Sequence, residues 1–320
     1  MSKLVTLFGG AGFIGRHTVR AFAQKGYRVR VAVRRPDLAG HLQPMGAVGQ
    51  IHAVQANIRY PKSVEAAVDG ADIVVNLVAV LQSRGKQSFD NLHVEGAKTV
   101  ATAAKAAGAQ SFVQISGLGA SETSASDYAR TKAVGERAVL QAFPDAIILR
   151  PSVVFGPEDD FFNRFAGMAR LAPVLPLVGG GATKFQPVYV GDVADAIVNA
   201  AEGVGTPGMT YELGGPEVLS FRACIDRVQQ YTGRDRAYVS LPFWAAKIQA
   251  RLMSILPNPP LTPDQVRLLK TDSIVSDTAQ DEGRTLAALG IDAPRFVDAI
   301  VPQYLERFSA KGQYTHYRSS

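Results

Sequence analysis

Two side chains four positions apart, Tyr128 and Lys132, lie in the run Ser126-Asp127-Tyr128-Ala129-Arg130-Thr131-Lys132-Ala133-Val134-Gly135-Glu136. At i and i+4 a phenol and an ammonium share one helix face. An ammonium so placed lowers the phenol pKa, and the phenol can then pass a proton to or from a carbonyl as a hydride moves. The same lysine can bond the ribose of a hydride carrier. The pattern also arises by chance on helix surfaces, so its meaning depends on what else the chain provides. Upstream, Ser116 closes an apolar run and adds a hydroxyl.

A hydride carrier needs a cradle, and the first fifteen residues contain one. The apolar run Leu4-Val5-Thr6-Leu7-Phe8 ends in Gly9-Gly10-Ala11-Gly12-Phe13-Ile14-Gly15, and a helical pattern continues to Lys25. Strand, glycine turn and helix form a phosphate site of the dinucleotide-binding type. Gly9 permits the tight turn, Gly12 lets backbone approach a pyrophosphate, and Gly15 lets the helix pack closely. Phe13 and Ile14 open the helix whose N-terminus faces the anion. The next strand, Tyr27-Arg28-Val29-Arg30-Val31-Ala32-Val33, stops at Arg34-Arg35-Pro36. A carboxylate at this strand end favours NAD, and a guanidinium accommodates the 2′-phosphate of NADP. Two arginines and no acid at the tip select NADP(H). Read alone, they would be ordinary solvated charges.

The elements that must hold these groups alternate through the first half. Strands are expected at 3–8, 27–33, 51–56, 72–78, 111–116 and 146–150. Helices fall between them at 12–25, 61–69, 88–107 and 128–142. Near-continuous apolar strands separated by helices give an α/β fold, a doubly wound parallel Rossmann sheet covered on both faces. Residues 1–150 form the NADP-binding domain. Beyond Arg150-Pro151, helices near 159–170, 192–202 and 220–231 are broken by Gly179-Gly180-Gly181 and Gly214-Gly215-Pro216. Residues 151–320 are read as a smaller mixed α/β lobe, with some segments returning to the sheet.

Composition narrows the function classes. With 320 residues, 47% hydrophobic, the chain can bury a large core. Its 34 Lys+Arg against 28 Asp+Glu leave +6 with no basic arm, so nucleic-acid binding is not expected. The single cysteine, Cys224, excludes an internal disulfide. The five histidines, at 17, 41, 52, 93 and 316, show no metal-ligand spacing. No leader pattern precedes the first strand, and no apolar run approaches the roughly 20 residues that span a bilayer. The product is read as soluble or peripheral, made and kept in the cytoplasm.

Leu241, Trp244, Ile248, Leu252 and Ile255 recur at helical spacing over 241–256, with Lys247 and Arg251 flanking them. Such a face suits an anionic membrane surface, a partner groove or the protein's own core. Thr262 followed by Pro263 marks a further helix start.

Taken in order, Gly9-x-x-Gly12-x-x-Gly15, Asn57-Ile58, Asn76-Leu77-Val78-Ala79, Ser116, Tyr128-x-x-x-Lys132, Leu149-Arg150-Pro151 and Val188-Tyr189-Val190-Gly191-Asp192-Val193-Ala194 resemble an extended short-chain dehydrogenase/reductase. The resemblance implies adenine contacts at Asn57 and Ile58. It implies cofactor backbone contacts at Leu77, Val78 and Ala79, and nicotinamide contacts at Pro151 and Val153. Three positions depart from the pattern. Phe8 replaces a usual Thr, His93 a usual Asn, and Gly117 a usual hydroxyl that polarises the substrate carbonyl. Ser116 could take that role only if the register slips by one, and is otherwise vestigial. The tail from Leu261 onward, with His93-Val94-Glu95-Gly96, resembles the dehydrogenase-like accessory subunits of respiratory complex I in their bacterial form. That resemblance implies a firmly held NADPH without established turnover, other complex I subunits as partners, and a peripheral place at the cytoplasmic face of the inner membrane. A free NADP-dependent oxidoreductase or epimerase using Tyr128 and Lys132 is the alternative.

Overall fold

The computed structural model describes residues 2–254, 256 and 259–309. Its strands are β1 (Leu4–Phe8), β2 (Arg28–Val33), β3 (Ile51–Gln55), β4 (Ile73–Asn76), β5 (Ser111–Ile115), β6 (Ile147–Pro151), β7 (Val154–Phe155), β8 (Val174–Val178), β9 (Lys184–Phe185), β10 (Val188–Tyr189), β11 (Thr210–Leu213), β12 (Leu219–Ser220) and β13 (Ala237–Leu241). Its helices are α1 (Phe13–Gln24), α2 (Pro61–Val68), α3 (Ala97–Ala106), α4 (Asp127–Ala142), α5 (Phe162–Leu171), α6 (Val190–Ala201), α7 (Phe221–Thr232), α8 (Phe243–Met253), α9 (Pro263–Leu268), α10 (Asp277–Asp281) and α11 (Val297–Leu305).

Two compact units divide the chain. The first holds the stretch up to Pro151, Val190–Leu213 and Ser276–Asp292. Its seven-stranded sheet runs β11-β6-β5-β4-β1-β2-β3, and every pairing in it is parallel. This is the doubly wound sheet expected from the alternating pattern, and each expected strand of the first half forms with ends shifted by at most two residues. β11 extends the sheet by pairing with β6, Leu213 opposite Pro151. The reason the strands read so clearly is burial on both sides. Leu4 to Phe8 are all buried, as are Ile73 to Asn76. Phe8, Val74, Val100, Phe112, Phe143 and Ile148 share one apolar cluster.

One helix differs from its expectation. The stretch read as a continuous helix over 88–107 contains a wide π-helical turn, Asp90–Gly96, before α3 begins. α4 starts as its sequence indicates: the Ser126 hydroxyl accepts the Ala129 N–H and caps the first turn.

The second unit holds Ser152–Tyr189, Gly214–Val275 and the stretch from Ala293. Its strands pair only two by two, β7 with β10, β8 with β13 and β9 with β12. Side chains from α5, α7 and α11 enclose Phe155, Phe162, Val297 and Val301 together with Cys224, which is fully buried. α9 begins at the expected Thr262-Pro263 with a complete capping box, Thr262 and Gln265 bonding each other's backbone N–H. The 241–256 stretch departs from a single helix. Leu241 belongs to β13, where it pairs with Val178, and Pro242 ends the strand before α8 begins. Ile255, also assigned to the amphipathic face, and His316 lie outside the described residues.

Candidate functional site

The glycine turn joins β1, which lies between β4 and β2 inside the sheet, to α1. Gly9 has φ +81°, a left-handed backbone that a side chain would strain. A β-carbon there would also press to 3.1 Å on the Leu77 carbonyl carbon and 3.2 Å on the Val78 nitrogen. Gly15 is demanded by contact instead: its β-carbon would lie 2.3 Å from the Gly9 carbonyl oxygen. α1 therefore packs onto the turn itself. Gly12 caps α1 with no side chain, so no side-chain acceptor at the cap competes for the first-turn N–H groups that include Phe13, Ile14 and Gly15. A helix start of this kind favours a pyrophosphate.

β2 lies beside β1 in parallel register, which brings Arg34 and Arg35 to the same end of the sheet. Both are exposed, but they are not equivalent. Arg35 closes a two-point pair with Asp37, Nη2 at 2.8 Å and Nε at 3.1 Å. That pair raises the arginine pKa and lowers the aspartate's, chiefly through the hydrogen bond. Arg34 has no ion pair or side-chain hydrogen bond among the described residues. The acid was not evident at the strand tip because it folds back from three residues further on.

β3 lies outside β2 and delivers Asn57 and Ile58. The Asn57 Oδ1 accepts the Arg59 N–H at 3.2 Å. Ile58 is buried and serves the apolar cluster. Beyond β4, Leu77 and Val78 are brought against Gly9, while Ala79 is exposed. A buried amide relay continues from there. The Val78 N–H donates to Asn76 Oδ1 at 3.2 Å, Asn76 Nδ2 to Gln114 Oε1 at 2.9 Å, and Gln114 Nε2 to the Ile115 carbonyl at 2.8 Å. Lys132 Nζ donates to that same carbonyl at 3.1 Å. Gln114 was missed in sequence, although a glutamine inside Phe112-Val113-Gln114-Ile115 is a recognisable signal. A polar side chain in a strand buried on both faces needs a partner.

Tyr128 and Lys132 share the inward face of α4, as their spacing requires. Lys132 Nζ lies 5.9 Å from the Tyr128 ring centroid. Burial lowers the lysine to about 8, against a smaller raising effect of Glu136. Burial, then the Glu136 carboxylate, raises the tyrosine to about 12. Burial thus holds the phenol above its ordinary value in the free protein. Glu136 itself is held by a two-point pair with Arg150, at 2.5 and 2.9 Å.

His93, noted as a departure, packs on this tyrosine. Its ring meets Tyr128 edge-on at 5.4 Å and stacks on Phe89 at 5.3 Å. Nε2 accepts the Val80 N–H at 3.1 Å, so Nδ1 carries the proton and donates to Thr131 Oγ1, also at 3.1 Å. The ring is neutral, its pKa pushed down to about 3 by burial and by the Lys132 charge.

Ser116 follows β5 and is buried, its hydroxyl without a hydrogen-bond partner among the described residues. At Gly117 a β-carbon would lie 3.4 Å from the Tyr128 hydroxyl. Position 117 thus stands next to the phenol. Pro151 ends β6, its carbonyl accepting the Leu118 N–H at 3.0 Å. Val153 lies in the second unit, its carbonyl accepting the Val188 N–H at 3.0 Å. The residues present fit a dinucleotide: a cradle that β-carbons would fill, a guanidinium just past the end of β2 that is unpaired among the described residues, and a buried hydroxyl with no partner among them.

Comparison with known proteins agrees with this geometry. The model of the NAD dependent epimerase/dehydratase family matches residues 5–214. An Arabidopsis thaliana protein named NADH dehydrogenase (ubiquinone) 1 alpha subcomplex subunit 9, mitochondrial, is 38% identical over 288 residues, 86% of this chain and 72% of its own length. A ceramide reductase of Caulobacter vibrioides is 34% identical over 195 residues, 61% of this chain and 60% of its own. Among solved structures, a dTDP-glucose 4,6-dehydratase from Streptomyces venezuelae with NAD bound superposes at a TM-score of 0.71, with 20% identity and 98% of each chain covered.

Proposed function

Since the chain belongs to the NAD dependent epimerase/dehydratase family, we propose that it is an NADPH-holding accessory subunit of bacterial respiratory complex I, peripheral at the cytoplasmic face of the inner membrane. The observation that carries this reading is a full nucleotide cradle beside a reaction site with glycine at 117, next to the Tyr128 hydroxyl. Without a hydroxyl there, developing charge on a substrate oxygen has one donor fewer. The relative named for subunit 9 of a mitochondrial NADH dehydrogenase supports the assembly, with other complex I subunits as partners.

Bound NADPH brings a transferable hydride. In this reading the protein holds the nucleotide without using that hydride. Gly9, Gly12 and Gly15 seat the pyrophosphate, Arg34 meets the 2′-phosphate, and Lys132 and Tyr128 face the nicotinamide ribose. A ligand that binds only the folded protein stabilises it by mass action, which is the role left to the nucleotide.

One observation favours a second reading, a reductase in its own right. The Ser116 hydroxyl is buried without a partner among the described residues, one position after the Ile115 carbonyl that accepts Lys132 Nζ, and one relative is named a ceramide reductase. The test is gentle detergent extraction of membranes containing the tagged chain, then native separation with NADH-dehydrogenase staining and nucleotide extraction. Co-migration with the large active complex, with NADPH released on denaturation, supports the subunit reading. A small species free of that complex overturns it, and loss of carbonyl reduction in Tyr128→Phe would then establish the second.

A further inference from the structure

α8 is built inside out. Its inward side chains are Ala246 and Ala250, fully buried against Val178 and Val266. Its large apolar side chains point away: Trp244 is 70% exposed, Ile248 54% and Leu252 69%. At i, i+4 and i+8 they form one ridge along the helix. Lys247 and Arg251 are exposed between them, and the exposed Lys270 ammonium sits 5.6 Å from the Phe243 ring at the start of α8. No Asp or Glu occurs between Arg236 and Pro263. The acid at Asp264 is met by Arg267 at 3.1 Å. The ridge is therefore apolar and cationic, with no carboxylate in its own stretch of chain to balance it.

We propose that α8 docks this protein on an anionic lipid bilayer, lying in the interface with Trp244, Ile248 and Leu252 inserted and Lys247 and Arg251 at the headgroup phosphates. Alanines inward bring the helix close to its own unit, which leaves the large side chains standing proud of the surface. Tryptophan and flanking cations are the side chains that suit a boundary with one apolar and one charged side. At 1.5 Å per residue, the 11 residues of α8 extend about 16 Å. Such a helix can lie on a bilayer but cannot cross it, and among the described residues no helix is long and apolar enough to do so. This inference goes beyond the subunit reading and does not need it, because the face belongs to the chain alone.

Trp244 is the only tryptophan in the chain, so its emission reports this face and nothing else. The experiment mixes the full-length protein with vesicles of phosphatidylglycerol and phosphatidylcholine in equal parts, and separately with phosphatidylcholine alone. The expected result is co-sedimentation with the anionic vesicles, a blue shift of Trp244 emission, quenching by lipids brominated on the acyl chain, and weakening by salt. Lys247→Glu with Arg251→Glu keeps the reporter and should weaken partition by about 20-fold or more. Leu171→Ser changes an exposed leucine outside α8 and should leave partition as it was. The substituted side chains are all exposed, and circular dichroism checks that each variant folds. No co-sedimentation, binding with unshifted emission, equal binding to both vesicles, or an equal loss in Leu171→Ser would each overturn the proposal. A face made for a protein partner would give the first of these.

Discussion

Gly117 is not among the glycines with positive φ, so a serine there fits the backbone. Its β-carbon would stand 3.4 Å from the Tyr128 hydroxyl, an ordinary contact. Gly117→Ser should therefore fold and restore a donor beside the phenol. Removing one such donor from an enzyme typically costs about 100-fold or more in rate. The expected outcome is a gain of at least about tenfold in NADPH-dependent reduction of an aldehyde panel, abolished by Tyr128→Phe. A rate still at background would show that the glycine is not what limits the site. The arginines make a second residue-level case. Arg35 is already held by Asp37 and Arg34 is not. Arg34→Ser should weaken NADPH binding by about tenfold or more, the worth of a charge-assisted hydrogen bond, and leave NADH binding unchanged. Arg35→Ser should cost less. Fluorescence titration of both nucleotides reads the difference, and equal losses would refute the distinction. The glycine turn and the arginine pair were legible from residue type and order. Which arginine is free was not, because the answer is set by an aspartate in the following loop.

His93 ties the π-helical turn Asp90–Gly96 to the loop after β4 and to α4, through Val80 and Thr131. Its folded pKa of about 3 lies below its ordinary 6.5. The unfolded chain thus binds a proton over a range where the folded protein does not. The stabilisation is complete above about pH 6.5 and is lost as pH falls toward about 3, at up to about 1.4 kcal/mol per pH unit. Urea midpoints at pH 7 and pH 5 should differ, and His93→Gln should flatten that difference. An unchanged slope in the variant would assign the effect to another group. At this scale the legible elements were those with one strong physical signature. Strands such as Leu4–Phe8 are buried throughout and nearly all apolar because both faces are covered. α9 announces itself by Thr262 and Pro263. The orientation of α8 was illegible for a different reason. A helical repeat tells which side chains share a face, not which way the face points. That was decided by Ala246 and Ala250 fitting the inner contact and by Pro242 separating Leu241 into β13.

Each of the two units has its own apolar core, and the glycine cradle, the arginines and the Tyr-Lys pair all belong to the first. NADPH at 100 times its Kd should add about 2.7 kcal/mol to the folded state. For a unit of this size the melting temperature should rise by about 5 to 10 °C. A thermal scan with and without nucleotide checks this, and Arg34→Ser at the same concentration should show a smaller rise. No shift would mean that the nucleotide does not distinguish folded from unfolded chain. The division itself was only partly legible. The change of texture after Pro151 marks where the second unit begins, but the return of β11 to the edge of β6 depends on contacts between residues some sixty positions apart in sequence. The second unit holds a probe of its own. Cys224 is the chain's only thiol, fully buried in α7, and burial pushes its pKa up to about 12. In the closed unit it is neither accessible nor ionised, so it cannot react with a disulfide reagent. It can do so only while that part of the protein is transiently open. The labelling rate of the intact protein is thus a stopwatch on those openings, read from one atom without cutting the chain or adding a dye.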